Sequence, residues 1–181
     1  MVKISMDIGK SHEIIKSLNQ HEIDFLVMAD NILFDPKEYT SSTFLIDPLV
    51  LICPKSHSLS EKKSCTISEV LNEVFLIKSE HSSTHRFLLE KFKNNFEHKT
   101  TIDNIEINST EGIKQAVIHE LGISIVSNLS VEQEVNAGLL CKLTIDDINL
   151  ERGVRYIYHK DKYLSPATYN FLNLLDKFSQ Q

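Results

Sequence analysis

Hydrophobic and polar residues follow one another in segments that predict alternating strands and helices along most of the chain. The most informative segment, residues 105–126, begins with apolar residues alternating with polar ones, as in a half-buried strand. Ser109 or Thr110 then provides the N-cap of an amphipathic helix, and Ile123 begins a second apolar strand. Between them, Gly122 is expected to end the helix in a left-handed conformation. This βαβ unit predicts a locally parallel sheet and an α/β fold.

The rest of the chain carries comparable signals. The alternating segment Val2–Ile8 predicts a half-buried strand, and the continuous apolar run Ile23–Met28 predicts a strand buried on both sides. Thr66, with Glu69 three residues later, has the spacing of a capping box. We predict further strands at Phe44–Cys53, Phe75–Ile77 and Val154–Tyr158, and further helices at Ser11–Gln20, Thr84–Phe96, Val131–Asn136 and from Pro166 onward. The last helix is expected to be amphipathic, with an apolar face made of Tyr169, Leu172, Leu175 and Phe178.

A polar turn that leads into a helix occurs twice, and it provides the candidate binding site. The first N–H groups of a helix have no partner within the helix, so they favour a small anion or a carbonyl oxygen. The opposing interpretation is that these hydroxyl groups only cap their helices, because serine and threonine are preferred there in any protein. The candidate residues of the two turns are Ser79, Ser82, Ser83, Thr84, Ser109 and Thr110.

Composition excludes several classes of function. The 181 residues are 41% hydrophobic and 24% charged, which is ordinary for a globular protein with a core. The net charge of −6, without a basic run, is unsuited to nucleic-acid binding by these residues. No apolar run is long enough to span a membrane, and the first residues do not resemble a signal peptide. Cys53, Cys65 and Cys141 are odd in number and widely spaced, which indicates reduced thiols and a cytoplasmic protein.

Motifs for catalysis or metal binding are missing from the sequence. It contains no G-x-S-x-G, no H-E-x-x-H and no glycine-rich phosphate loop, so we predict no enzymatic activity, no cofactor and no metal. His81 and His85 are four residues apart, but His81 falls in a turn, and a solvated pair is the better interpretation. His57 is interpreted as a structural turn residue.

Five segments carry a resemblance to a known family. They are IGKSHEIIKSLNQHEIDFLVM, DPLVLICPKSHSLS, SEVLNEVFLIKSEHSSTHRFLLEKF, IEINSTEGIKQAVIHELGISIVSNLSVEQEVNAGLL and RYIYHKDKYLSPATYNFLNLL. In this order and spacing, the chain resembles the effector-binding domain of LysR-type transcriptional regulators. The resemblance implies a two-lobed fold like that of type II periplasmic binding proteins. In that fold, helices flank a mixed sheet in each lobe, two crossing strands form the hinge, and the effector lies in the cleft between the lobes.

The resemblance also implies a division of the chain. Residues 1–48 with 152–181 would form the first lobe, and residues 49–151 the second. The family's winged helix-turn-helix and linker helix have no counterpart in this sequence, and neither does the opening strand and helix of the first lobe. DNA binding is therefore expected only through a domain that these residues do not include.

We accordingly expect a sensor that binds a small anionic or polar effector and is not an enzyme. Ala29 and Asp30 join the two turns as candidate effector-binding residues. The resemblance implies a homodimer in which Ser11–Gln20 and Val2–Ile8 pack against Thr84–Phe96 and Thr101–Asn108 of the partner. A free-standing solute-binding protein of the same fold is the alternative, and an enzyme that borrows the fold is a third class.

Overall fold

The structure is a computed structural model that describes residues 2–71, 73–93 and 104–178. Two compact units are present: unit 1 is Met1–Ile46 with Arg152–Gln181, and unit 2 is Asp47–Glu151. The helices are α1 Ser11–Asn19, α2 Ile67–Val70, α3 Ser83–Phe92, α4 Thr110–Ile118, α5 Glu132–Asn136 and α6 Pro166–Phe178. The strands are β1 Leu26–Ala29, β2 Tyr39–Pro54, β3 Ser64–Cys65, β4 Phe75–Ile77, β5 Asn104–Glu106, β6 Ser124–Ser127, β7 Leu140–Ile145 and β8 Glu151–His159.

Unit 1 is built on an antiparallel sheet in which β8 lies between β1 and β2. Neighbouring residues of β8 point to opposite faces, as the period of a strand requires. Ile157 packs with Leu18 of α1 on one face, whereas Tyr156 packs with Phe44 and with Leu172 of α6 on the other. Helices α1 and α6 therefore cover the two faces of this sheet.

Three expectations for unit 1 are wrong. Val2–Ile8 forms no strand, and Ile8 is 91% exposed. Alternation makes a segment suitable for a sheet, but a strand also needs a neighbour for its backbone groups, and no described strand pairs with this one. The run at Ile23–Met28 forms the end strand β1, so Val27 is half exposed rather than buried on both sides. In α6, Leu172 is buried, whereas Tyr169 of the same expected face is more than half exposed.

Unit 2 contains the larger core. The second half of β2 pairs antiparallel with both β6 and β7, and β7 pairs parallel with β3. Leu51 of β2 faces one buried cluster and Ile52 faces the other, so the sheet is covered on both sides. The backbone N–H of Leu49 donates to the carbonyl of Leu150 over 3.1 Å, and this bond joins the beginning and the end of the unit.

The predicted βαβ unit is confirmed, although the role of its glycine differs from the expectation. Strand β4 pairs parallel with β5, and Phe75 forms a parallel bridge with Ile123. The left-handed residue after α4 is Glu120, with φ 63°, and not Gly122, whose φ is 154°. A Cβ atom at Gly122 would overlap the backbone carbonyl of Val74, so the glycine is required by this close approach of two backbones.

Helix α4 is anchored by a buried charge. Lys114 is 5% exposed, and its Nζ lies 2.8 Å from Oε1 of Glu111, 2.8 Å from Oε1 of Glu134 and 3.0 Å from the carbonyl of Ser130. Burial lowers the pKa of Lys114, but the hydrogen bonds to the two carboxylates outweigh burial, and the net shift is upward. All three ammonium donors are therefore satisfied, which fixes the rotation of α4.

Two smaller expectations are confirmed. The carboxylate of Glu69 accepts from the backbone N–H of Thr66 over 2.8 Å, so α2 begins with the predicted capping box. His57 holds a turn, because its Nδ1 accepts from the N–H of Leu59. The predicted continuation of α3 to Phe96 lies outside the described residues. Among the described residues, no helix is long and apolar enough to cross a membrane.

Candidate functional site

The two predicted turns lie side by side in unit 2, because the strands that precede them are neighbours. Strands β4 and β5 are parallel, so their carboxyl ends lie at the same edge of the sheet. The N–H of Ile107 extends the pairing by donating to the carbonyl of Ile77 over 2.8 Å. One turn then leads from β4 into α3, and the other leads from β5 into α4. The N-termini of two helices therefore follow adjacent strand ends, where open α/β sheets commonly bind ligands.

A side-chain bridge connects the two turns. Oδ1 of Asn108 accepts from the backbone N–H of Ser79 over 3.0 Å, and its Nδ2 donates to Oε1 of Glu106 over 3.1 Å. Sequence reasoning did not single out Asn108 as a site residue. The available signal was an asparagine between a strand and a capping serine, where its side chain is well placed to bond to backbone groups.

The beginning of α3 is held mainly by backbone contacts. Ser82 is the N-cap, and its hydroxyl makes no capping hydrogen bond. Its N–H donates to the carbonyl of Ser79 over 2.9 Å, and its carbonyl accepts from Arg86. In the first turn, Nδ1 of His85 lies 2.6 Å from the carbonyl of Lys78. Because a carbonyl only accepts, we assign a hydrogen to Nδ1.

The beginning of α4 is capped by a side chain. The hydroxyl of Ser109 accepts from the N–H of Gly112 over 3.2 Å, so this hydroxyl satisfies the helix itself. A Cβ at Gly112 would lie 2.9 Å from Cγ2 of Ile107, so the first turn of α4 packs closely against the end of β5. Thr110, the first residue of the helix, lies next to this cap. The capping interpretation therefore holds for Ser109, whereas Ser83 and Thr110 stay candidates for a ligand.

Ala29 and Asp30 lie in unit 1, where β1 ends. The N–H of Asp30 donates to the carbonyl of Gly153 over 2.9 Å. The carboxylate of Asp30 lies so close to Gly153 that a Cβ at position 153 would overlap it. Gly153 therefore leaves room beside β8 for the carboxylate of Asp30. Ala29, the last residue of β1, is paired with Val154.

A cation that sequence reasoning missed lies next to this strand end. Arg155 is paired with Met28 in the register of β1 and β8, and its guanidinium donates to the carbonyl of Ile32. The guanidinium also lies 5.6 Å from the centre of the Phe34 ring. Its Nε is buried and has no hydrogen-bond partner among the described residues. No motif marks Arg155, because its proximity to residues 28–34 arises only from the pairing of β1 with β8.

A second ligand cavity and a metal site have less support. A cavity of about 280 Å³ lies in unit 1 between Phe34, Tyr39 and Lys160, and none of the predicted site residues lines it. Among the described residues, no group of three or more histidine, cysteine or acidic side chains could hold a metal ion. Nε2 of His81 lies 4.0 Å from the carboxylate of Glu80, and both side chains are exposed.

Comparisons with known proteins agree on one family. The family model described as "LysR substrate binding domain" matches residues 1–179. The transcriptional regulator CbbR of Rhizobium meliloti (strain 1021) is 34% identical over 172 residues, which cover 94% of this chain and 53% of the relative. The transcriptional activator CmpR of Synechocystis sp. is 32% identical over 176 residues, which cover 96% of this chain and 56% of the relative. The chain thus spans about half the length of these curated relatives.

A solved structure shows the same fold. The regulatory domain of CcmR from Synechocystis PCC6803, determined in complex with 2-PG, superposes with a TM-score of 0.84 at 24% sequence identity. The superposition covers 99% of this chain and 84% of that domain. The expected α/β fold of LysR effector-binding domains is therefore confirmed.

Proposed function

Because the chain belongs to the LysR substrate binding domain family, we propose that it is the part of a transcriptional regulator that senses a small-molecule effector. The matched relatives are transcriptional regulators, which favours this function over a free-standing solute-binding protein. We also propose a cytoplasmic location, because a transcriptional regulator must reach DNA. We also propose that units 1 and 2 are the two lobes of the family fold.

The effector binds, in this proposal, through an acidic or strongly polar group at the paired turns of unit 2. The observation that carries the proposal is the bond from Ser79 N–H to Asn108 Oδ1, which holds two helix N-termini at one sheet edge. Helix N-termini favour negative charge, and the hydroxyls of Ser83 and Thr110 supply donors beside them. In unit 1, Ala29 and Asp30 stay predicted effector-binding residues, and Arg155 is the cation next to them in the register of β1 and β8.

Effector binding regulates the protein by shifting the balance between two of its arrangements. An effector changes the balance between two arrangements of a protein only by the difference between its affinities for them. In the intact regulator, that shift would change how two copies present their DNA-binding domains. The DNA contact belongs to a domain outside these 181 residues.

Isothermal titration of the purified chain with 2-PG, followed by other small hydroxy and phosphorylated acids, tests the proposed site. We expect Ser83→Ala and Thr110→Ala each to weaken the best ligand by roughly 3- to 10-fold, because each removes about one hydrogen bond. Thr66→Ala is the matched control, since it removes a capping hydroxyl from another helix of the same unit. Unchanged affinity in both site variants would place the effector elsewhere. If none of these acids bound, the proposed ligand class would be wrong.

The same proposal includes a homodimer. The exposed apolar side chains of Val2–Ile8, together with α1, provide one patch, and α3 with residues 104–108 provides the other. A contact that uses two different patches on each subunit can still be closed by a two-fold axis. We expect light scattering at micromolar concentration to give the mass of a dimer. A compact monomer, with strong amide protection throughout residues 2–28, would contradict the dimer.

A further inference from the structure

Two of the three cysteines of unit 2 are direct neighbours across a pair of strands. In the register of β2 and β7, Cys53 lies opposite Cys141, between the pairs Ile52–Lys142 and Pro54–Leu140. Directly opposite residues of an antiparallel pair have Cα atoms about 4.5–5.5 Å apart and side chains on the same face. The two thiols therefore share one face of the sheet at short range.

The packing of the core agrees with this register. Cys53 is fully buried in a core cluster of unit 2, and Cys141 is a partly buried member of the shell packed against that cluster. Residues that alternate with Cys53 along β2, such as Ile52, belong to the cluster on the other face of the sheet. Cys53 is thus enclosed, and Cys141 lies at the partly buried border of the same cluster.

The third thiol provides an internal comparison. Cys65 lies in β3, opposite Ile145 of β7, four positions along that strand from Cys141. Its Sγ lies 3.8 Å from the carbonyl of Thr144. Cys65 is buried like Cys53 but has no cysteine opposite it in the register.

We propose that Cys53 and Cys141 are a modification site, at which a peroxide oxidises the two thiols to an intrachain disulfide. Opposite residues of an antiparallel pair typically have a Cα separation within the range of about 4.4–6.8 Å that disulfides require. The cross-link would make the stability of unit 2 depend on oxidation.

The chemistry balances with one peroxide for each disulfide. The thiolate of Cys141 attacks one peroxide oxygen, the O–O bond breaks, and Cys141 becomes a sulfenic acid while the released hydroxide takes a proton to form water. Cys53 then loses its proton and attacks the sulfur of Cys141, which forms the S–S bond and releases the second water. Burial raises the pKa of Cys53 to about 12, so its thiolate is scarce and the second step is slow.

The disulfide would close a loop that contains most of unit 2, from α2 to α5. A cross-link over a long loop restricts the unfolded chain, and we expect it to raise the melting temperature by roughly 5–10 °C. A dithiol reductant should restore the original melting temperature, because the step is reversible at the disulfide level.

The test exposes the reduced full chain to a small excess of hydrogen peroxide and then alkylates the remaining thiols. We expect the intact mass to show one alkylated cysteine and the loss of two hydrogens, and peptide mapping to join the peptides of Cys53 and Cys141. Cys65→Ser, the matched control, should form the same cross-link and show the same rise in melting temperature. Cys141→Ser and Cys53→Ser should not, and their melting curves in reductant show whether each variant is folded.

Four results would overturn the proposal. They are three alkylated thiols after peroxide treatment, a cross-link that includes Cys65, a disulfide between two copies, and oxidation of Cys141 to a sulfinic acid without any S–S bond. Because this experiment follows the thiols and uses no effector, its failure is separate from the failure of the proposed function.

Discussion

The substitution Gly122→Ala tests whether two backbones really approach each other where α4 leads into β6. The residue has a φ of 154°, in a region that is nearly restricted to glycine. A Cβ there would also lie 3.2 Å from the carbonyl carbon of Val74 and 3.3 Å from its Cβ, and it would overlap the carbonyl oxygen. That oxygen accepts from the N–H of Ile123 over 2.9 Å, at the point where β4 meets this segment.

The cost of the substitution follows from these contacts. The backbone conformation costs an alanine about 1–3 kcal/mol, and displacement of the Val74 carbonyl weakens a buried hydrogen bond worth about 1 kcal/mol. A total of roughly 3 kcal/mol corresponds to a melting temperature about 6–12 °C lower for a chain of this size. The substitution is expected to disturb both core clusters of unit 2, because Leu76 belongs to one of them and Ile123 to the other.

Gly138→Ala is the matched control. Gly138 has a φ of 65°, and its nearest obstacle is the flexible end of Lys55, whose Nζ would be 2.8 Å from a new Cβ. That side chain can move, so only the left-handed conformation costs energy, about 1 kcal/mol or about 2–4 °C. Melting curves from circular dichroism at 222 nm measure both variants. If Gly122→Ala melted within about 2 °C of Gly138→Ala, the close approach to Val74 would be refuted.

Two further perturbations follow from the charged and polar contacts of each unit. Lys114→Met should lower the free energy of unfolding in urea by roughly 3 kcal/mol, because it leaves the largely buried carboxylate of Glu134 without its partner. The double variant with Glu134→Leu should recover much of this loss, and no recovery would contradict the pairing. Burial and the hydrogen bond to Asp176 raise the pKa of Tyr156 to about 12, whereas the ordinary tyrosine pKa is about 10. The protonated phenol therefore stabilises the fold fully below about pH 10, and this stabilisation is lost as the pH rises from 10 to 12. The urea midpoint should therefore fall more steeply between pH 9.5 and 11.5 in the wild type than in Tyr156→Phe, and parallel curves would show that Tyr156 is not the titrating group.

Local signals in the sequence predicted most elements, because those elements depend on nearby residues. The capping box of Thr66 and Glu69 marks the beginning of α2, and the apolar run of Phe75–Ile77 marks β4 with the same bounds as in the structure. The prediction of β2 was correct but short, since Tyr39–Pro54 includes polar residues that only pairing with other strands brings into the sheet.

The errors concern features that depend on distant partners. Val2–Ile8 has the pattern of a strand, but no described strand pairs with it, and a pattern alone does not form hydrogen bonds. Gly122 was assigned to a helix cap because the approach of Val74 cannot be seen from the local sequence. The neighbours Cys53 and Cys141 were interpreted as separate thiols, since their pairing exists only in the register of β2 and β7.

The candidate site was partly predictable for the same reason. Hydroxyl residues before a helix can be recognised locally, which identified Ser83 and Thr110, although the same pattern also included the ordinary cap Ser109. The connection between the turns through Asn108 required the parallel pairing of β4 and β5. Arg155 was missed because it approaches the end of β1 only through strand pairing.

The chain order of the two units has a consequence for biosynthesis. Unit 2 is one uninterrupted run, so all of its strands have been made when Glu151 leaves the ribosome. In unit 1, by contrast, β1 depends on β8, which is synthesised long afterwards. At a typical rate of translation, β1 waits on the order of 10 s for its partner, with apolar residues such as Leu26 uncovered. During that interval unit 1 is the part of the nascent chain most dependent on chaperones, whereas unit 2 can already fold.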